Sequence, residues 1–172
     1  MPSMQNPLPS AADAARHAGV SVRVASPADL PEVLRVQRVA FGRVARAFGI
    51  PAEVMPPANE TLEDLHRLFE GGMRTFVASD GDRIVGAVRA EQRDDGVVEI
   101  GRLAVDDGFQ RRGIGLSLML SLEESYPAAG RFELFTGEGA AEPLALYDKL
   151  GYGVFKSEQH GNFTLVWLAK QR

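Results

Sequence analysis

Val20-Ser21-Val22-Arg23-Val24 alternates apolar and polar positions, the period of a half-buried strand. Ser26-Pro27-Ala28-Asp29 then carries the marks of a helix start: a capping serine, proline in the first turn and an acid at the third position. Leu30, Val33, Leu34, Gln37 and Phe41 fall on one face of the helix that follows. Gly42–Ala58 holds Gly49, Pro51, Pro56 and Pro57, which predicts an irregular segment. Thr61-Leu62-Glu63-Asp64 opens a second, shorter helix that ends near Gly71-Gly72. Thr75–Ser79 and Arg83–Arg89 are apolar runs around Asp80-Gly81-Asp82, a hairpin pattern. Arg93-Asp94-Asp95-Gly96 turns the chain into a third strand, Val98–Val105, and Leu116–Glu123 reads as a helix stopped before Pro127. Arg131–Thr136 is a strand, Pro143–Leu150 a helix closed by Gly151, and Gly153–Ser157 and Asn162–Ala169 a last pair of strands around Gly161. Met1–Gly19, rich in Pro, Ala and Ser without an apolar period, reads as a flexible tail before a single domain over residues 20–172.

Composition narrows the function classes. A chain of 172 residues, 45% hydrophobic and 24% charged, can bury a sizeable core as one globular unit. A net charge of −4 leaves no basic footprint, so nucleic acid is not an expected partner. No cysteine is present, which excludes thiolate metal sites and a cysteine nucleophile, and His17, His66 and His160 are too scattered for a metal cluster. No metal and no membrane partner are therefore expected. Without the basic and apolar start of a signal peptide, the expected location is cytoplasmic.

The chemistry concentrates at Gln110-Arg111-Arg112-Gly113-Ile114-Gly115, between the Val98–Val105 strand and the Leu116–Glu123 helix. The first N–H groups of a helix lack internal partners and carry the positive end of its dipole. Two glycines let an anion approach the backbone, and two arginines add charge. The loop suits a pyrophosphate. Leu118 stands where a dinucleotide-binding loop needs its third glycine, Glu133 lies at the start of a strand rather than its end, and no Gly-Lys-Ser/Thr is present for a P-loop.

Leu103-x-Val105 followed by Gln110-x-x-Gly113-x-Gly115 resembles the acyl-CoA-binding motif of the GNAT superfamily of N-acetyltransferases, Gln/Arg-x-x-Gly-x-Gly/Ala between a strand and a long helix. The resemblance spans about residues 21–170 and implies an α/β fold with a mixed, mainly antiparallel, splayed sheet and about four helices. It implies transfer of an acetyl group from acetyl-CoA to a primary amine in a ternary complex. The alternative, a catalytically silent acyl-CoA-binding sensor, uses the same loop. By this resemblance the backbone of Leu103, Ala104 and Val105 takes the pantetheine arm and stabilises the oxyanion, while Gln110, Arg111, Arg112, Gly113, Ile114, Gly115 and Leu116 hold the pyrophosphate. The side chains of Leu103 and Val105 serve the core at the same time.

Leu146-Tyr147 through Gly151-Tyr152 resembles the family's Leu-Tyr-x-x-x-Gly-Phe/Tyr motif, which makes Tyr147 the candidate acid that protonates the departing sulfur. A core tyrosine is the plainer alternative. Ala140 and Pro143 depart from the Asn and Ala that the family often has there, so one side-chain contact to the cofactor is missing. Glu99, eleven residues before Gln110, stands in the register of the base in histone-acetylating members; a surface pair with Arg102 or Arg89 is the alternative. Arg102 is a charge in an apolar strand, either at the acceptor site or paired with an acid. His160 reads as a solvated loop residue, and Phe41, Phe48 and Met55 as acceptor-pocket wall or core. The acceptor is a small-molecule or peptide amine of undefined identity, and a homodimer is compatible with the family.

Overall fold

The computed structural model describes residues 6–172. Its elements follow in the order α1 (Ala11–Ala18), β1 (Ser21–Val24), α2 (Leu30–Ala47), α3 (Pro56–Asn59), α4 (Leu62–Glu70), β2 (Arg74–Asp80), β3 (Arg83–Gln92), β4 (Val97–Val105), α5 (Ile114–Glu124), β5 (Arg131–Gly137), α6 (Ala141–Leu150), β6 (Gly153–His160) and β7 (Phe163–Gln171). The strands form one seven-stranded sheet in the order β1-β2-β3-β4-β5-β7-β6. Only β4 and β5 run parallel; every other neighbouring pair is antiparallel. The expected strands and main helices are present, within a few residues of their expected limits.

Helices cover the sheet on two faces and define two cores. On one face α1, α5 and α6 bury Leu118, Met119, Leu122, Tyr147 and Leu150 against Val85, Val88, Phe132 and Leu134. Each fully buried leucine there stabilises the fold by about 1.5–3 kcal/mol. On the other face α2 and α4 bury Val33, Val36, Ala40 and Leu65 against Val77, Ala87 and Ala104. β4 is the strand between these two layers of chemistry.

Two expectations are corrected. The tail expected over residues 1–19 is a docked helix over Ala11–Ala18, while residues 1–5 lie outside the described residues. Ser10 caps α1 through the Asp13 N–H, Gly19 ends it at φ +72, and the Ala11 N–H donates to Glu124 on α5 at 2.9 Å. Ala11 and Ala14 are buried and Ala18 is half-buried, an apolar stripe at helical spacing. Alanine contributes little hydrophobic signal to a sequence pattern, yet it lets two helices approach closely. The segment expected to be irregular, Gly42–Ala58, is largely helical: α2 runs through Gly42 to Ala47, and a 3-10 turn (Ala52–Val54) and α3 follow. Gly42 costs a helix interior about 1 kcal/mol, but buried Ala40 and Ala45 keep the apolar face continuous past it. Asn59 then ties the turn by donating to the carbonyls of Ala52 and Glu53.

Candidate active site

β4 leaves its neighbours in two ways. Toward β5 it pairs only at Val97, Val98 and Glu99, so Ile100–Val105 presents a free backbone edge where the strands diverge. Toward β3 the register slips between Ala87 and Arg89, leaving Arg102 and Leu103 without a paired position. Arg102 sits there at φ +56. A side chain in the left-handed region costs about 1–2 kcal/mol, so the bulge is held by its surroundings. Such an extra residue re-aims side chains and releases ladder hydrogen bonds. The stretch Leu103–Val105 thus carries backbone groups that a ligand can use.

The loop after β4 ends at a helix start whose N–H groups are free among the described residues. Gly113 is the N-cap of α5 at φ +84 with no side-chain cap, and Arg111 also lies at positive φ, +61. The N–H groups of Gly113, Ile114, Gly115 and Leu116 find no acceptor among the described residues. Gly115 sits where α5, α6 and β4 converge: a Cβ there would stand 3.2 Å from Leu146 and 3.9 Å from Leu103. Gly86 on β3 has the same role beneath the helix, because a Cβ would meet Ile114 at 3.0 Å and Leu118 at 3.1 Å. Arg111 reaches across to Glu142 on α6 at 2.9 Å, an exposed pair that a phosphate can displace. Arg112 folds back over the Phe109 ring at 4.8 Å, and Gln110 lies between the Val105 carbonyl and Arg43 of α2.

Tyr147 points from α6 into the same face and is 7% exposed. Its ring lies 6.0 Å from that of Tyr152, and its hydroxyl makes no hydrogen bond to a described residue, its oxygen being the part of the side chain that reaches the surface. Burial alone pushes the phenol up to about 12, so it holds its proton throughout the neutral range. Tyr152 differs: its hydroxyl donates to buried Glu123 at 2.7 Å, and Glu123 also pairs with Lys170, a closed structural network. Ala140, at the N-cap of α6, offers no side-chain cap, in keeping with the missing asparagine.

Glu99 lies apart from this group. It is exposed at the end of the paired part of β4, and its carboxylate accepts from Arg93 at 2.8 Å, beside Glu133 on the same guanidinium. The surface pair considered from sequence is therefore present, with Arg93 as the partner rather than Arg102 or Arg89. His160 is exposed at the end of β6, stacked on Phe163 and 3.3 Å from Glu158. Phe41 packs into the α2–α4 core, whereas Phe48 rests on Gly137 and Gly139, where a Cβ would stand 3.2 and 3.1 Å from its ring. Met55 is half-buried at the start of α3.

Sequence reasoning missed the cluster on the α2–α4 face. Glu60, between α3 and α4, accepts a bidentate pair from Arg89 on β3 at 2.7 and 3.0 Å, and a further bond from the amide of Gln37 at 2.5 Å. Arg102 reaches the same carboxylate only at 3.3 and 3.4 Å. Burial raises the Glu60 pKa, but the hydrogen bonds from Arg89 and Gln37 and the charges of both arginines outweigh it and hold the carboxyl below its ordinary value. Glu60 is therefore an ion-pair partner and a poor base. A glutamine on an apolar helix face and two arginines in apolar strands were the available sequence signals. Their common partner, more than twenty residues from each of them, was not.

Comparison with known proteins agrees with this architecture. The sequence model described as the acetyltransferase (GNAT) family matches residues 44–152, more than half of the 172 residues, and the chain belongs to that family. No curated protein matches it in sequence. Among solved structures, the PaiA N-acetyltransferase of Thermoplasma acidophilum in complex with coenzyme A superposes with a TM-score of 0.76 at 17% identity, over 89% of this chain and 99% of that one. The ribosomal-protein-S18-alanine N-acetyltransferase of Escherichia coli gives 0.73 at 14% identity, over 88% and 93%. The putative acetyltransferase YncA of Salmonella typhimurium with acetyl-CoA gives 0.71 at 16%, over 88% and 93%. At these identities the likeness is one of fold. No helix of the described residues is long and apolar enough to cross a membrane.

Proposed function

We propose that the protein transfers an acetyl group from acetyl-CoA to a primary amine in a ternary complex. The observation that carries this reading is the alignment of free N–H groups at Gly113–Leu116, the open β4 edge at Leu103–Val105, and the unpartnered Tyr147 hydroxyl on one side of the sheet. In this reading the α5 N-terminus with Gln110, Arg111 and Arg112 holds the pyrophosphate, once Arg111 releases Glu142. Leu103 and Val105 take the pantetheine arm through their backbone, and an N–H of Leu103 or Ala104 stabilises the tetrahedral oxyanion. The neutral amine attacks the thioester carbon, so a C–N bond forms and the C–S bond breaks. Tyr147 gives its proton to the departing thiolate and regains one from solvent, while the amine's surplus proton leaves through water or a carboxylate. Glu99 can take that proton only by leaving Arg93.

A thiol-release assay with acetyl-CoA over a broad amine panel tests the reading. Amine-dependent release of CoA is expected. Tight acetyl-CoA binding without turnover on any amine would instead make the protein the silent acyl-CoA sensor. A cytoplasmic location and self-association belong to the same proposal, and are checked by cell fractionation and by light scattering.

A further inference from the structure

The cluster around Glu60 has one carboxylate for two guanidinium groups. Glu60 is committed to Arg89 in a two-bond fork of 2.7 and 3.0 Å, the geometry of a strong charge-assisted pair. Its contacts to Arg102, 3.3 and 3.4 Å, are longer than that class requires. The next acids along α4 are already engaged, Glu63 with Arg67 and Asp64 with Thr61 and Arg67. Arg38 adds a third guanidinium nearby and donates only to the Glu60 carbonyl. Arg102 thus carries several unused donors, with its side chain only 19% exposed. Burial and the charge of Arg89 push its pKa down, offset only in part by Glu60. The cluster carries more guanidinium than carboxylate charge.

The position of the unused charge says where a further anion would come from. Arg102 immediately precedes Leu103 on the bulge, and its side chain packs with Val33, Gln37, Leu65 and Arg89 around a crevice of only about 10 Å³ on the α2–α4 face. The pyrophosphate cradle and Tyr147 lie on the opposite face, and the β4–β5 splay joins the two. An amine held at the open β4 edge beside Leu103 has Arg102 as the adjacent residue, and a carboxylate carried by that amine reaches the guanidinium by widening this crevice. We infer that Arg102 receives a carboxylate carried by the acceptor beside its amine, which makes the acceptor an amino acid or a similarly small amino carboxylate. This rests on the acetyl-transfer reading above. An arginine fork matched to a planar carboxylate would select such acceptors over peptide N-termini, which present an amide there.

The test compares the standard amino acids with the same compounds as C-terminal amides, by CoA release and by calorimetric titration into the CoA-loaded protein. The expected result is an acid-over-amide preference of about tenfold or more in kcat/KM for at least one pair. Arg102→Gln should bring that ratio to about one, and Arg102→Lys, which keeps the charge without the fork, should leave it in between. Equal or better use of the amides, or a preference that survives both variants, overturns the inference and leaves acetyl transfer standing. Acid-specific binding that depends on Arg102, without turnover of any amine, keeps the carboxylate site and sinks acetyl transfer. If neither acids nor amides bind or react, the inference falls, and acetyl transfer is decided by the broad amine panel. Should Arg102→Gln not fold, the Arg102→Lys ratio decides alone: no change from the native protein sinks the inference.

Discussion

On the α1–α5 side of β4, the proposed donor site consists mainly of backbone: N–H groups at Gly113–Leu116 and a free strand edge, shaped by glycines. On the α2–α4 side, the proposed acceptor site consists of charged side chains, Glu60, Arg89 and Arg102, brought from three separate segments. The proposed donor side has one invariant ligand to hold, so it can be built from groups that every sequence possesses. The acceptor side must discriminate, and discrimination needs side chains. Changes on the donor side should therefore act on binding of acetyl-CoA or on turnover. Changes on the acceptor side should act on the choice of amine and on local stability.

The largest effect is expected from Tyr147→Phe, which removes only the unpartnered hydroxyl. Steady-state kinetics should show kcat lower by about 100-fold, within the range for a lost general acid, with the KM for acetyl-CoA nearly unchanged. A donor is active while protonated, and burial holds this phenol near 12, so native kcat should show no descending limb from Tyr147 until pH exceeds about 11. Unchanged turnover in the variant would remove Tyr147 from the mechanism.

Gly86→Val should cost about 2–3 kcal/mol in urea unfolding, because the new side chain overlaps Ile114, Leu118 and the Ala104 carbonyl, all within 3.3 Å of a Cβ. It should also weaken acetyl-CoA binding by displacing the α5 N-terminus, with the acid-to-amide ratio unaltered. A changed ratio with normal acetyl-CoA affinity would break the division between the two sides.

Glu60→Gln should cost about 2 kcal/mol at neutral pH, below the range for a fully buried pair because the site is partly open. Since the folded-state pKa of Glu60 lies below its ordinary value, its contribution is present above about pH 4.5 and is lost as pH falls through the lowered pKa. Urea melts at pH 7 and at about pH 3 should therefore show the difference between native and variant shrinking in acid. A constant difference would remove the ion pair as its cause.

Glu124→Ala should cost about 0.5–1 kcal/mol by removing the acceptor for the Ala11 N–H, and hydrogen exchange should quicken in α1 first. Uniform quickening across the sheet would mean that α1 is part of the global unit. The smallest effect belongs to Glu99→Gln, less than about threefold in kcat/KM and little in stability, as for an exposed pair. A large loss of turnover would return the base role to Glu99.

The strand, loop and helix of the proposed donor site were legible in the sequence because all of their determinants are local. Strand, two glycines and apolar helix are consecutive over Val98–Glu123, and the helix end supplies the charge whatever surrounds it. Strand limits were legible for a similar reason: alternation and turn residues act within a few positions. α1 was not, because its face is made of alanines whose burial depends on α5 standing opposite. Arg102 and Glu99 could not be told apart by residue type. One lies half-buried on a bulge facing Glu60, the other in solvent with Arg93, and only the strand pairing separates them.

The sequence by itself determined the order of strands and helices and the glycine-flanked start of α5, which follow from periodicity and local turn chemistry, while the family and its mixed sheet followed from the resemblance of the Gln110–Gly115 and Leu146–Tyr152 motifs. The tertiary structure alone decided where β4 parts from β5, that the Tyr147 ring is buried while its hydroxyl bonds to no described residue, and that Glu60 answers Arg89 more closely than Arg102. Those depend on contacts between residues far apart in the chain, where burial and charge pairing, rather than local pattern, set the outcome.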